Sequence, residues 1–233
     1  MTKRTLLFTT GSPFARAVRI TLDELGLEYE RREEITTPSV EDRAQASPTL
    51  QVPTLWDGDV RLWESSLIVE YLLSTYTVDR GGDLPICDGM GNPETIWRDR
   101  LVLSTIQTLG TAGTTISQMK WGGVAITDHA YLKRSADRFP YLMEWLENEI
   151  SETGNGFIPG ILSAQDIFLS CHLDFILNRP LGLDPMIESY PKILELVTKM
   201  RKRESFESNP ILWWEPGVIG YSSKNEPIYA KNA

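Results

Sequence analysis

The order of apolar and polar positions near the start of the chain predicts a strand, a helix and a second strand. Residues 5–9 form a short apolar run that ends in a Thr-Gly-Ser-Pro turn, and the apolar positions after it recur at helical spacing until Gly26. Residues 28–35 return to a strand-like pattern, although most of them are charged. We therefore expect an outer strand with one exposed face, followed over residues 37–46 by a short polar helix or loop.

The next segment predicts a hairpin and a helix. Residues 54–56 and 60–63 are short apolar runs separated by Asp-Gly-Asp, and Asp-Gly is a strong hairpin signal. Ser65 or Ser66 then precedes a helical stripe of apolar side chains and can act as its N-cap. A parallel βαβ unit joined to a hairpin and closed by a helix is the thioredoxin-like arrangement. The fold class predicted for residues 1–77 is therefore an α/β thioredoxin-like domain with the order βαβαββα.

A change in composition divides the chain into two parts. Residues 78–93 hold two Pro, four Gly and three Asp, which is typical of a linker. Beyond them the apolar positions recur at helical offsets up to about Pro210, so we expect four or five helices in an all-α domain over residues 94–212. Residues 213–233 show no clear period and are interpreted as a C-terminal tail.

The charge balance and the cysteine content exclude several classes of protein. Thirty-two acidic against 23 basic residues give a net charge of −9, which repels phosphate backbones and anionic lipids. No stretch approaches the roughly 20 apolar residues that span a bilayer, and the two cysteines form neither a disulfide framework nor a C-x-x-C pair. We therefore expect a cytoplasmic protein without nucleic-acid or membrane partners. The basic run at residues 199–203 is interpreted as a helix C-terminus.

Three local motifs succeed one another along the chain. The first is Gly-Ser-Pro-Phe-Ala-Arg-Ala-Val-Arg-Ile at residues 11–20, and the second combines Val-Pro-Thr-Leu at 52–55 with Trp-Glu-Ser-Ser-Leu-Ile at 63–68. The third is Gly-Ile-Leu-Ser-Ala-Gln-Asp-Ile at 160–167. In this order and spacing they resemble the cytosolic glutathione transferase superfamily, and in particular bacterial- or fungal-like members with a serine-type Ser-Pro-Phe active-site turn. The resemblance covers nearly the whole chain.

The resemblance implies that Ser12 is the catalytic residue, with a hydroxyl that hydrogen-bonds to the thiolate of glutathione. Only a thiolate is a good nucleophile, and the start of a helix adds positive potential that stabilises it. Thr9 and Thr10 are alternative hydroxyl donors in the same turn. By spacing alone, Ser12 is also an ordinary N-cap followed by Pro13 at the first helical position. A hydroxyl forms no mixed disulfide, so thiol–disulfide chemistry is excluded at this position.

The second motif implies where glutathione binds. In the family that it resembles, the proline of Val52-Pro53 is cis, and the backbone of the valine pairs with the cysteinyl part of glutathione like an added strand. Glu64 and Ser65 receive the ammonium and the carboxylate of the γ-glutamyl end. Gln51 stands near the glycine carboxylate, where the family commonly has Lys or Gln. Structural alternatives are an N-cap for Ser65 and a helix-start acid for Glu64.

Other residues with reactive or charged groups have structural interpretations. Ser163 and Asp166 resemble the family's capping box, in which they satisfy backbone N–H groups of a largely buried helix. Arg16 lies one helical turn beyond the catalytic turn and either adds positive potential or forms a structural ion pair. His129 and His172 lack a metal-binding pattern, so we expect no metal site.

The electrophile is expected to bind between the two domains, against the first helix of the second domain. That helix carries a stripe of small polar residues opposite its apolar face, and a stripe that faces solvent explains the pattern equally well. For the apolar residues near the same place, packing in the core or in a dimer interface is the alternative to a role in the pocket. The candidates are Phe14, Ser104, Thr108, Thr111, Thr115, Met119, Trp121, Trp213 and Trp214.

The function implied by the resemblance is that of a glutathione transferase, a detoxification enzyme that conjugates the glutathione thiolate to a small hydrophobic electrophile. Glutathione is then a co-substrate. A homodimer is expected because the family's active cleft lies near a subunit interface. Two alternatives stay open: a non-catalytic interaction or regulatory module with the same fold, and a glutathione-dependent lyase, peroxidase or isomerase.

Overall fold

The computed structural model describes most of the chain in full and a part of it as backbone. The linker predicted at 78–93 and the candidates Trp213 and Trp214 lie outside the described residues. The described residues are 4–34, 39–76, 94–152 and 156–210, together with the backbone of 218–221 and 227–229.

The first part of the chain folds into a four-stranded mixed sheet with three helices, in the predicted order βαβαββα. The predicted α/β thioredoxin-like fold class is confirmed. The elements in chain order are β1 (Arg4–Phe8), α1 (Pro13–Glu24), β2 (Glu30–Glu33), α2 (Val40–Ala46), β3 (Thr54–Asp57), β4 (Val60–Trp63) and α3 (Ser65–Tyr76).

The strands lie in the order β2-β1-β3-β4, so β1 and β3 occupy the centre of the sheet. β1 is parallel to β2 and antiparallel to β3, and β3 forms a hairpin with β4. Leu6 and Phe8 of β1 are fully buried, whereas all four residues of β2 are exposed. The predicted outer strand therefore lies at the sheet edge, where its charged side chains discourage pairing with another chain.

The hairpin turns one residue later than the sequence predicts. Asp57 belongs to β3 and pairs with Val60, so Gly58 and Asp59 form a two-residue turn. Gly58 has a φ of 61°, a left-handed backbone that glycine adopts without steric cost. Asp57 is buried and pairs with Arg4 at 3.3 Å. The ion pair joins β3 to β1 at the residues that also pair in the sheet.

The second part of the chain is helical. Its described residues form six helices instead of four or five, because residues 130–149 divide at Arg138 and a one-turn helix ends the region. Pro140 stands in the first turn of the second of these helices, where proline is tolerated, but it cannot continue a preceding helix. No helix among the described residues is long and apolar enough to cross a membrane. The helices are α4 (Ile96–Trp121), α5 (Ala130–Asp137), α6 (Phe139–Glu149), α7 (Ala164–Leu177), α8 (Pro191–Met200) and α9 (Glu204–Glu207).

The C-terminal tail contains a small sheet that the sequence does not predict. β5 (Val218–Tyr221) and β6 (Pro227–Tyr229) pair in an antiparallel manner, with a register shift between Val218 and Gly220. Strands of three or four residues hold too few positions for an alternating pattern to be recognised.

Helix α7 lies at the centre of the packing between the two parts. Thirteen of its 14 residues are buried, and it packs against α1 of the first part and against α4 and α8 of the second. Asp174 is fully buried, and its two carboxylate oxygens pair with Arg16 and Arg201, each at 2.7 Å. A buried carboxylate is tolerated only with such partners. Arg16 is therefore a structural ion-pair partner.

The basic residues after α8 connect helices to one another. α8 ends at Met200, as the basic run predicts. Its arginines do more than complement the helix dipole, because Arg203 donates two hydrogen bonds to Glu24 of α1, each at 2.7 Å. The Ser205 hydroxyl donates to the same carboxylate at 2.5 Å. The segment after α8 thus holds the C-terminal end of α1.

His172 of α7 lies against Gly110 of α4. A Cβ at Gly110 would lie 2.4 Å from the imidazole, so a glycine is required in α4 at this point. The ring packs edge-on against Phe14, with centroids 4.7 Å apart, and stacks on Phe168 at 6.0 Å. Complete burial lowers the pKa of His172 to about 3, so the imidazole is neutral.

The third motif forms a capping box at the start of α7. The Ser163 hydroxyl accepts a hydrogen bond from the Asp166 N–H at 3.2 Å, and the Asp166 carboxylate accepts one from the Ser163 N–H at 2.9 Å. Its second oxygen accepts from the Phe157 N–H at 3.0 Å. Gly156, with a φ of 98°, allows the loop to pass this close, since a Cβ there would lie 2.6 Å from the carboxylate.

Loss of the Asp166 carboxylate should destabilise the protein more than loss of the Ser163 hydroxyl. Ser163→Ala should lower the free energy of unfolding by about 1 kcal/mol, the usual value for an N-cap. Asp166→Ala should lower it by about 2 kcal/mol or more, because two buried N–H groups lose their acceptor. Burial raises the pKa of Asp166 to about 6, so denaturation is measured near pH 8. Ser39→Ala removes the exposed N-cap of α2 and serves as a control. Equal losses in the free energy of unfolding for all three variants would contradict the buried capping box.

The buried imidazole predicts an acid-dependent loss of stability. The unfolded chain takes up a proton at His172 below about pH 6.5, whereas the folded protein excludes it down to about pH 3. The stabilisation is complete above pH 6.5 and falls by about 1.4 kcal/mol per pH unit as the pH drops towards 3. His172→Phe should remove this part of the acid slope in chemical denaturation between pH 7 and 5. A variant with the wild-type slope would show that another group causes it.

Candidate functional site

A cavity of about 410 Å³ opens between the first part of the chain and the helices of the second. Six segments contribute to its walls: residues 9–14 at the start of α1, Arg43 of α2, residues 49–53 before β3, residues 64–65 at the start of α3, the C-terminal half of α4, and the end of α7 with Arg179 just beyond it. The two parts that the sequence predicts as domains thus share one cavity.

Ser12 stands at the start of α1 and lines the cavity. Its hydroxyl oxygen accepts a hydrogen bond from the Ala15 N–H at 3.2 Å, and its own N–H donates to the Thr9 carbonyl at 3.1 Å. Pro13 is the first helical residue, as the N-cap interpretation requires. A hydroxyl that accepts at its oxygen still carries a proton to donate. The cap and a donor role towards a ligand are therefore compatible.

Residues 51–53 form another part of the cavity wall. The Val52-Pro53 peptide bond is cis, which the resemblance implies. Gln51, Val52 and Pro53 all line the cavity. β3 begins to pair with β1 at Thr54, so Val52 lies just before the ladder. An extended ligand can therefore meet its backbone groups without competing with the sheet.

Glu64 and Ser65 lie at the N-terminal end of α3 and line the cavity together. The helix begins at Ser65, and the Glu64 carbonyl accepts the first helical hydrogen bond from the Ile68 N–H at 2.9 Å. Glu64, with a φ of 72°, therefore occupies the N-cap position. The expectation that Ser65 or Ser66 is the N-cap is corrected accordingly, because both serines lie inside the first turn.

The cavity reaches only the C-terminal half of α4. Thr111, Thr115 and Trp121 line it, as does Phe14 of α1. The structure does not place Ser104, Thr108 or Met119 in the lining: Ser104 and Thr108 are exposed, and the Thr108 hydroxyl donates to the Ser104 carbonyl at 3.0 Å. Thr9 lines the cavity and Thr10 does not. Lining residues of α4 that the sequence does not single out are Thr114, Ser117 and Gln118.

Two arginines in the cavity wall escape sequence analysis. Arg43 of α2 donates to the Leu50 carbonyl at 3.0 Å and pairs with Glu34 at 2.5 Å. Arg179 lies just beyond α7 and donates to the Gly11 carbonyl at 3.1 Å. That contact joins residues 168 positions apart, and a local pattern carries no signal of it.

The histidines and the described cysteine have structural surroundings. Among the residues with described side chains, no group of three or more His, Cys, Asp or Glu is arranged to hold a metal ion. His129 caps α5 by accepting a hydrogen bond from the Tyr131 N–H at 3.2 Å. Cys171 is buried, and burial raises the pKa of its thiol to about 12, so it is not a nucleophile.

The first part of the chain matches a known family. Residues 6–80 match the family model of the glutathione S-transferase N-terminal domain. This range contains Ser12, the cis-proline segment and the start of α3, and therefore the cavity wall opposite α4 and α7. No curated protein sequence matches the chain significantly.

Solved structures of glutathione transferases share the fold over most of the chain. One from Methylobacterium radiotolerans, in complex with glutathione sulfonate, has a TM-score of 0.71 at 20% identity, covering 89% of this chain and 94% of that one. One from Methylobacillus flagellatus with glutathione bound has a TM-score of 0.72 at 20% identity, with 89% and 98% covered. One from Phanerochaete chrysosporium with oxidized glutathione has a TM-score of 0.66 at 20% identity, with 90% and 94% covered. At this identity the similarity shows the fold.

Proposed function

We propose that the protein is a glutathione transferase that conjugates the thiolate of glutathione to a small electrophile. The observation that carries the proposal is one shared cavity, lined by Ser12 at the start of α1, by the segment with Val52 and Pro53, and by the pair Glu64 and Ser65. Solved structures with the same fold contain glutathione or its derivatives, which supports the same ligand for this chain.

In this proposal glutathione binds along the wall formed by residues 49–53 and 64–65. The N-terminal amides of α3 and the Ser65 hydroxyl suit the γ-glutamyl carboxylate, and the Glu64 carboxylate suits its ammonium group. The backbone of Val52 pairs with the cysteinyl residue as an added strand. Arg43 lines the same wall beside Gln51 and supplies a cation for the glycine carboxylate.

Ser12 acts on the sulfur as a hydrogen-bond donor. A free thiol has a pKa near 8.5 and is mostly protonated at neutral pH. The Ser12 hydroxyl and the positive end of α1 favour the thiolate, so they lower the thiol pKa. About 1.4 kcal/mol lowers it by one unit, and a charge-assisted hydrogen bond supplies that amount.

The reaction of this thiolate is a substitution at carbon. With an aryl chloride, the thiolate sulfur forms a bond to the carbon that carries chlorine, and chloride then leaves with the electron pair of the broken bond. The thiol proton goes to solvent before the attack. No oxidant or reductant is consumed, and Ser12 forms no covalent bond.

The alternative functions share this site and differ in the chemistry after glutathione has bound. A non-catalytic module retains glutathione without turnover, and a lyase, peroxidase or isomerase uses the same thiolate on another substrate. Retention on immobilised glutathione, together with conjugation of 1-chloro-2,4-dinitrobenzene, separates these cases; binding without turnover would favour the module. Within the proposal, residues 1–77 bind glutathione, residues 94–212 bind the electrophile, and the enzyme serves detoxification in the cytoplasm.

Ser12→Ala should lower the rate of conjugation by about tenfold to a hundredfold near neutral pH. Loss of one charge-assisted hydrogen bond raises the thiol pKa by roughly one to two units. The deficit should shrink as the pH rises towards the pKa of the free thiol, because solvent then supplies the thiolate. Affinity for S-methyl glutathione, which has no ionisable thiol, should change little. Spectrophotometric rates and calorimetric titration measure the two quantities.

Controls separate the hydroxyl from the cap. Ser12→Thr keeps a hydroxyl at the same place and should retain most of the rate, while Ser163→Ala removes an N-cap serine outside the cavity and should retain all of it. Wild-type rates for Ser12→Ala between about pH 6 and 9 would remove Ser12 from the mechanism. Thr9→Val and Thr10→Val would then show whether a neighbouring hydroxyl acts instead.

An exposed apolar patch on α3 and α4 supports the expected homodimer. Trp97 is 78% exposed, Leu101 55% and Leu67 47%. An ion pair between Glu70 and Arg100 at 3.1 Å joins the two helices beside these residues. In a two-fold symmetric dimer the same patch of both copies meets, and an aromatic centre with a charged rim is typical of such interfaces.

The wild-type protein should sediment at micromolar concentration as a species of twice the 26.4 kDa chain mass. Trp97→Glu should shift it towards the monomer, because the interface would bury an unpaired carboxylate. Tyr141→Glu changes an aromatic residue of α6 that is 76% exposed and serves as the control. A monomeric wild type would refute the dimer, and a Trp97→Glu dimer would refute this interface.

A further inference from the structure

Arg179 brings a cation to the cavity wall formed by the second part of the chain. It lies just beyond α7, where several contacts fix the backbone. The Leu181 N–H donates to the Arg179 carbonyl at 2.8 Å, and the Asn178 amide donates to the Asp174 carbonyl at 2.8 Å. The Lys120 ammonium at the end of α4 donates to the Pro180 carbonyl. The chain around Arg179 is therefore held to both α4 and α7.

The side chain of Arg179 contacts both an aromatic ring of α7 and the turn before α1. Its guanidinium lies over the Phe175 ring, 4.2 Å from the centroid, and donates a hydrogen bond to the Gly11 carbonyl at 3.1 Å. Both contacts restrict the long side chain before any ligand arrives. A ligand that binds the guanidinium then loses less affinity to side-chain ordering. A planar fork of N–H donors held in this way suits a carboxylate.

Gly11 precedes Ser12, so the guanidinium lies beside the position proposed for the sulfur. The two carboxylates of glutathione are assigned elsewhere, one to Ser65 and the start of α3 and the other to Gln51 and Arg43. A carboxylate that reaches Arg179 would therefore belong to the sulfur's reaction partner. The cavity wall near Arg179 combines aromatic rings with hydroxyl groups and an amide. This combination suits a planar molecule with a polar substituent. These residues are Phe14, Thr111, Thr115, Gln118, Trp121 and Phe175.

We propose that the natural electrophile is an anion, an aromatic or conjugated molecule whose carboxylate binds Arg179. The proposal rests on the proposed glutathione transferase function and adds a negative charge to the small hydrophobic electrophile expected from the resemblance. Among the described lining residues, Glu64 is the one carboxylate, and it belongs to the glutathione wall. Arg179 thus selects the electrophile by charge.

A pair of aryl chlorides tests the charge preference. 1-Chloro-2,4-dinitrobenzene is neutral and 4-chloro-3,5-dinitrobenzoate carries a carboxylate; in both, sulfur replaces chloride at the ring carbon. Each variant is compared with wild type on the same compound, so the intrinsic reactivities cancel. Arg179→Gln keeps an N–H donor for the Gly11 carbonyl, and Arg179→Lys keeps the charge. Arg134→Gln removes an exposed arginine of α5 outside the cavity and is the matched control.

Arg179→Gln should lower kcat/KM for the benzoate by about tenfold or more, mainly through KM, and for the neutral chloride by less than about threefold. Arg179→Lys should recover part of the benzoate activity, and Arg134→Gln should match the wild type on both. Equal losses on both compounds would overturn the proposal, since the arginine would then act on the turn or the thiolate. A loss of affinity for S-methyl glutathione would overturn it as well, since the arginine would then bind glutathione.

A binding measurement keeps this test separate from the proposed function. 3,5-Dinitrobenzoate lacks a leaving group and can be titrated by calorimetry into protein saturated with S-methyl glutathione. It should bind at least about tenfold more tightly to the wild type than to Arg179→Gln, while 1,3-dinitrobenzene should not distinguish them. If the wild type turns over neither chloride, the conjugation function fails, and this titration still decides whether Arg179 binds an anion. Equal affinity of the two proteins for the benzoate would refute the anion site.

Discussion

The buried carboxylate of Asp174 is the constraint on which the arrangement of the cavity depends. An ionised group without contact to solvent needs opposite charges at hydrogen-bond distance, and removal of one partner typically costs about 3–5 kcal/mol. Arg16 of α1 and Arg201 after α8 supply those charges, one to each oxygen, at 2.7 Å. Arg16 also donates to the Asn209 carbonyl at 2.6 Å. α1 and the segment after α8 are distant in sequence, and both must therefore contact α7 or its partners for the protein to fold.

This constraint places the reactive groups because it acts near the ends of both helices. Arg16 lies one turn beyond Ser12 on α1, and Asp174 lies in the last turn of α7, shortly before Arg179. When the two pair, the start of α1 and the end of α7 come together, and Arg179 reaches the Gly11 carbonyl. The ion pair is buried behind the cavity and contributes no group to its lining. It sets the geometry of the site without taking part in it.

The contact between Gly110 and His172 fixes the third wall. α4 can approach α7 this closely only with a glycine under the imidazole, and the same ring packs against Phe14. Thr111, the next residue of α4, and Thr115, one turn further on, line the cavity. A neutral histidine suits this place, because its ring contacts aromatic groups on two sides and its burial disfavours a proton.

The sequence predicts the features whose signals lie within a few residues. The N-cap at Ser12, the hairpin and the capping box at Ser163 are of this kind, since each depends on hydrogen bonds between near neighbours. The polar stripe of α4 extends along much of the helix, but only the half from Thr111 onwards reaches the cavity. The part of the stripe that lines the cavity depends on where the turn before α1 and the end of α7 lie along α4. The sequence of α4 alone does not contain that information. The role of Arg179 in the cavity wall is not predicted for a similar reason, since its partner Gly11 is 168 residues away in the sequence.

The net charge of −9 bears on how such a site can recognise an anion. A protein with this excess of acidic groups does not steer anions towards itself at long range. At physiological ionic strength, however, screening limits the range of exposed charges to about 8 Å. Distant acidic groups therefore have little effect on a ligand that has entered the cavity. Arg43 and Arg179 are the cations among the described residues that line the cavity, where hydrogen bonds are stronger than in water. Recognition of an anionic electrophile then depends on direct contact with a pre-positioned guanidinium. The selectivity for the anion should therefore persist when the salt concentration is raised.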